Sequence, residues 1–170
     1  NRFFSVDLAS REEVAVQSEN DYEVGKVELK NGKIVAIEPP LDELKTAKLA
    51  EVDAWTTNKI VGGFVSSASG EPVTYDSDKD TQLTMQGIAL NVQTSLFAEK
   101  YPNGCPVRGY ANGATEKSIF MLNAEQVMLW CADLSIHIGN CKQAGWAKQA
   151  EVQACTTKEE LEAVTLEVGE

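Results

Sequence analysis

The stretch "TYDSDKDTQL", residues 74–83, decides how the middle of this chain is read. Asp76, Asp78 and Asp80 alternate as the first three ligands of an EF-hand calcium loop do. Such a loop also needs glycine at its sixth position, for the sharp turn, and a bidentate glutamate at its twelfth. Counted from Asp76, those positions hold Thr81 and Gly87, so a calcium loop is not encoded. The same residues suit the start of a helix. Ser77 or Asp78 serves as N-cap, and Asp80 sits in the first turn, where a carboxylate meets orphan N–H groups and the positive end of the helix dipole. The stretch predicts a helix from about Lys79 and no bound metal at Asp76, Asp78 and Asp80.

Downstream, the helix is expected to run to about Glu99, with Ile88, Val92 and Leu96 on one stripe. "YPNGCP" then breaks the chain, because Pro102 and Pro106 exclude helix there. Asn112-Gly113, inside "VRGYANGATEKSIFML", predicts a hairpin. Asn123 follows as an N-cap, with Gln126 three residues later completing a capping box. A long helix is expected from about Ala124, with a four-three seam of Val127, Cys131, Leu134, Ile138, Cys141 and Gly145. The seam continues to Val152 and Cys155, further than one small core needs, so self-association is expected, with a trimer favoured; a seam satisfied within one chain is the alternative. "TTKEELEAV" closes the chain with a short helix, Thr157 as N-cap and Glu160 completing its box.

Upstream, "GFVSS" and "PVTY" flank "ASGE" as a short hairpin. Before it, "LDELKTAKLAEVDAWTTNKI" places Leu41, Leu44, Lys48, Val52 and Trp55 at helical steps, and Gly62-Gly63 ends the helix. The first residues change period. In "KVELKNGKIVAIEPP", residues 26–40, Asn31-Gly32 is the preferred pair for a type I′ turn, which pairs Leu29 with Ile34 and Val27 with Ala36. "RFFSVDLA" and "EEVAVQS" are further strands, and Pro39-Pro40 ends the β region. Strands and helices are segregated rather than alternating as βαβα, so the expected class is α+β. Residues 1–40 form a small β-rich unit, and residues 41–170 a mostly helical domain with two short hairpins.

Composition narrows the function. The chain has 170 residues, 43% of them hydrophobic and 24% charged, as a soluble globular protein has. Its formal charge of −11 argues against nucleic acid, because phosphate contacts need clustered Lys and Arg. No apolar run reaches the length of a membrane span. Cys105, Cys131, Cys141 and Cys155 contain no Cys-x-x-Cys pair, which argues against zinc. The first residues lack a basic region followed by an apolar run. Free, buried thiols in a reducing compartment are therefore expected.

The candidate chemistry is thin. His137 is the one histidine, with Asp133 four residues before it and Cys141 four after. The pattern permits a cysteine–histidine pair, but a cysteine at a core-like position is ordinarily inert. Gly62-Gly63, "GEP" and "PNG" are turn chemistry and lack the spacing of a phosphate loop. Trp55, Trp130 and Trp146 fall on predicted helices as core or interface anchors. The expectation is no catalytic residue, no cofactor and no metal.

The order of elements resembles a known family. A helix ends in "NKIVGGF", a hairpin ends in "YDSDKDTQL", "RGYANGATEKSIFMLNAEQV" leads into a long helix, and "QAEVQACTTKEELEAV" closes the chain. Over Leu41 to Val164 this is similar to a domain family of unknown function found in phages and prophages, often at the C-terminal end of tail-fibre and other tail-associated proteins. The resemblance implies a non-enzymatic structural protein of a phage tail, made in the host bacterial cytoplasm, whose partners are its own copies and other tail proteins. A tail-fibre assembly chaperone and a small hydrolase using Cys141 and His137 are the alternatives.

Overall fold

The computed structural model describes residues 2–4, 16–18, 27–30 and 33–166. The class is α+β. The chain divides into two compact units, Asn1–Glu43 and Leu44–Glu170.

In the first unit, β1 (Arg2–Phe4) pairs antiparallel with β2 (Val16–Ser18), and β3 (Val27–Lys30) with β4 (Lys33–Ala36). Leu29 faces Ile34 and Val27 faces Ala36, the register expected for a two-residue loop. Asn31-Gly32 and the remainder of "RFFSVDLA" and "EEVAVQS" lie outside the described residues.

The second unit takes almost all of α1 (Leu41–Val61), which is followed by β5 (Phe64–Ser66) and β6 (Val73–Tyr75). Next come α2 (Lys79–Val92), α3 (Leu96–Lys100), β7 (Cys105–Ala111) and β8 (Ser118–Leu122). The chain closes with α4 (Ala124–Ala154) and α5 (Lys158–Ala163). The two expected hairpins are present, and they join. Val73–Tyr75 of β6 pairs with Gly109–Ala111 of β7, giving one four-stranded antiparallel sheet in the order β5-β6-β7-β8. Its inner face packs on α4, and α2 packs on α4.

The core is built from strand alternation and one stripe of α4. Phe64, Val73, Tyr75, Cys105, Val107 and Leu122 point inward to meet Val127, Trp130 and Leu134. Tyr75 meets Trp130 edge to face, with ring centroids 5.6 Å apart, an arrangement the ring quadrupoles favour. Gly109 makes room for it. A Cβ at that position would lie 2.5 Å from Val73 Cγ1 and 2.8 Å from Tyr75 Cδ1.

The caps of α4 and α5 are as the sequence predicts, each with a reciprocal capping box. The helix expected over Lys79–Glu99 is broken. Residues 93–95 interrupt it, where Thr94 Oγ1 donates to Asn91 O at 2.7 Å and so competes with the helical ladder. After the break Phe97 is the buried residue and Leu96 is exposed, which corrects the expected stripe.

On α4 and its C-cap Cys155, Val127, Leu134, Cys141, Gly145, Val152 and Cys155 are buried, whereas Cys131 and Ile138 are half-buried. The far end of the seam receives α1. A Cβ on Gly145 would lie 2.3 Å from Thr56 Oγ1. Lys45 Nζ donates to Gln153 O, and Gln149 Nε2 donates to Asp53 Oδ1. The extra length of the seam thus packs on α1 of the same chain.

Gly109→Ala is expected to lower stability by about 1–3 kcal/mol, the usual cost of overpacking a core. Urea unfolding checks it, and an unchanged midpoint would mean that Tyr75 does not fill that space.

Candidate functional site

Each residue of the acidic stretch has a separate structural task. Tyr75 belongs to the core. Asp76 Oδ2 accepts from Lys117 Nζ at 2.5 Å, and this bond holds the lysine above its ordinary pKa. Ser77 is fully buried. Its Oγ donates to Ile60 O at 2.6 Å and accepts from Gly63 N at 2.8 Å, while Gln82 Nε2 donates to Ser77 O. Of the two possible caps the residue used is Asp78, whose Oδ1 accepts from Asp80 N and Thr81 N and whose Oδ2 accepts from Thr81 Oγ1. Asp80 is exposed in the first turn. Among the described residues no group of three or more His, Cys, Asp or Glu is placed to hold a metal ion.

The candidate cysteine–histidine pair does come together. Cys141 Sγ lies 3.7 Å from His137 Nε2 and 4.0 Å from Nδ1. Nε2 also lies 3.1 Å from Lys59 O, and a carbonyl accepts only, so Nε2 carries the proton. The nitrogen left to receive a thiol proton is therefore the more distant one. Cys141 is buried, and burial pushes its thiol pKa up, with the Lys59 charge opposing. That shift runs against thiolate formation. Asp133 does not orient the histidine through a hydrogen bond; its Oδ2 accepts from Ser66 Oγ at 2.6 Å. His137 instead packs on Phe64 and ties α4 to the last turn of α1.

The other thiols are buried or half-buried. Cys105, Cys131, Cys141 and Cys155 are all free, and burial raises the pKa of Cys105 and Cys131. The tryptophans separate. Trp130 is core, Trp55 is half-buried with Lys59 Nζ 4.8 Å from its ring centre, and Trp146 is 62% exposed. Trp146 borders a groove of about 280 Å³ between α1 and α4, with Thr57, Ile60 and Lys142. A second hollow, of about 200 Å³, lies between α2 and β7 beside Asp76, with Thr84, Ile88 and Arg108 in its walls. Sequence reasoning missed both, because each is walled by residues distant in the chain.

Residues 43–165 match the family described as Domain of unknown function (DUF4376), and the chain belongs to that family. No curated protein and no solved structure matches the chain. Among the described residues no helix is long and apolar enough to cross a membrane.

The cap carries a pH signature. Hydrogen bonds from the Thr81 hydroxyl and backbone hold the Asp78 carboxyl below its ordinary pKa. A depressed folded-state pKa contributes stability above the unfolded value, about 3.9 for Asp, and that contribution is lost as pH falls through the folded pKa. Asp78→Ala is expected to lower the melting temperature at neutral pH, with the difference from the native chain shrinking in acid. A difference that stays constant into acid would rule out the ionised cap.

Proposed function

We propose that the chain is a non-enzymatic, phage tail-associated structural protein that works in repeated copies through protein–protein contacts. The tail assignment comes from the sequence resemblance over Leu41 to Val164. What supports a role in contacts is the set of large apolar side chains left in solvent on both layers of the second unit. Leu83 and Leu90 of α2, Ile136 and Trp146 of α4, and Ile119 of β8 are all exposed. Ile119 shares its sheet face with the exposed Val65 and Met121, and an apolar patch of this kind marks an interaction surface. The partners in this reading are further copies of the chain and other tail proteins, and the acidic charge of −11 disfavours nucleic acid.

The cysteine-hydrolase alternative fits the geometry poorly. It requires an accessible, activated thiolate beside a free imidazole nitrogen, whereas Cys141 is buried with a raised pKa and His137 Nε2 is engaged by Lys59 O.

Mass spectrometry of purified particles, from a phage or prophage encoding the chain, tests the proposal. The chain is expected in the tail fraction in fixed stoichiometry with known tail proteins. Its absence from particles would overturn the structural role, and its recovery with fibre protein only before assembly would identify a chaperone.

A further inference from the structure

Strand β6 has three residues and β7 has seven, so their pairing covers only Gly109–Ala111 of β7. On its other side β7 pairs with β8 over Cys105–Gly109. Towards α2, Pro106, Val107 and Arg108 therefore face no strand of this sheet. The hollow of about 200 Å³ opens there, against Thr84 and Ile88 of α2. Its origin is the early exit of the chain: Tyr75 ends β6, and Asp78 already caps α2.

The walls divide by chemistry. Val107 and Trp130 are buried and Ile88 is half-buried, so the inner part is apolar. Arg108 is exposed, and among the described residues it makes no hydrogen bond or ion pair. Asp76, the one carboxylate in the wall, is engaged by Lys117. Two cations thus stand against one carboxylate at this spot, in a chain whose formal charge is −11.

Trp130 supplies an independent observation. It is 4% exposed, and its Nε1 is buried without a partner among the described residues. An indole N–H can only donate, and when buried it is ordinarily bonded. The other buried side-chain atom in that condition is Tyr75 Oη, which has Ser69 of the β5–β6 loop beside it. Arg108 and Trp130 border the same hollow, and both call for an acceptor.

We infer that the hollow binds a small organic carboxylate that has an apolar body and a second oxygen acceptor. The Arg108 guanidinium presents a planar fork that matches a carboxylate through two parallel bonds. The body lies against Ile88, Val107 and the Trp130 ring, and the second oxygen accepts from Trp130 Nε1. The volume is below the range of about 300–1,000 Å³ that holds a drug-sized molecule, which limits the occupant to one ring or a short chain. Such binding requires no catalysis and stands apart from the tail reading.

Nuclear magnetic resonance of the nitrogen-labelled full chain tests it. Three indole signals are expected, one for each tryptophan. Trp55→Phe and Trp146→Phe assign the signal of Trp130 by elimination without touching the core. Titration with 4-hydroxybenzoate at neutral pH is expected to move the Trp130 indole proton downfield and to saturate, while Trp146 stays in place. Arg108→Gln, at an exposed position, should raise the Kd about tenfold or more, as loss of a charge-assisted hydrogen bond does. The neutral isostere 4-hydroxybenzamide should bind the native chain more weakly by a similar factor. No saturable shift at Trp130, equally tight binding of the amide, or an unchanged Kd in Arg108→Gln would each overturn the assignment.

Discussion

The hydroxyl of Ser77 is the contact on which the second unit turns. Within three residues the chain must end strand β6, pass the end of α1 and begin α2. Ser77, with no exposed surface, donates to the carbonyl of Ile60 in the last turn of α1 and accepts from the amide of Gly63. The Ile60 carbonyl is one of those that a helix C-terminus leaves without an internal partner. Gly63 has φ of 102°, a conformation that costs glycine nothing and other residues considerably, and this turn aims β5 back along the sheet. One side chain therefore fixes the exit of α1, the entry of β5 and the start of α2. Tyr75 on one side and Asp78 on the other then fall into the core and the cap.

This clarifies why three alternating carboxylates need not be a metal site. A ligand set requires its oxygens to converge, and here they diverge to a lysine, a helix N-terminus and solvent. The aspartates bracket a buried serine and a buried tyrosine, so the alternation belongs to a chain leaving a strand for a helix. The same logic applies to His137, Cys141 and Asp133. Their helical spacing makes them look like a catalytic group, but each is engaged by a different element: α1 through Lys59, the core of the unit, and β5 through Ser66.

What the sequence made legible was local. The capping boxes at Asn123 and Thr157, the register of β3 with β4 and the stop at Gly62-Gly63 depend on residues within a turn of one another. Pairing of β6 with β7 joins residues separated by α2 and α3, and three-residue strands carry too little pattern to reveal it. The break after Val92 was hidden because Ile88, Val92 and Leu96 fit a helical stripe, while the local bond from Thr94 to Asn91 redirects the chain. The far end of the α4 seam was ambiguous for a related reason. Its small residue, Gly145, signals close approach of a neighbour but not whose neighbour it is, and Thr56 of the same chain fills the place. For function, the sequence rightly drew attention to His137 and Cys141 as neighbours, but the engagement of Nε2 by a carbonyl and the apolar outer face of the sheet exist only in the folded chain.

The central claim is that Ser77 organises the junction of α1, β5 and α2. Ser77→Ala removes one hydroxyl and leaves Ile60 O and Gly63 N unpaired in the interior, a loss of about 1–3 kcal/mol. The direct measurement is amide hydrogen exchange at Gly63 together with urea unfolding of the variant. The account predicts that Gly63 protection collapses and that the unfolding midpoint falls by the corresponding amount. Native-like protection at Gly63 with an unchanged midpoint would contradict it.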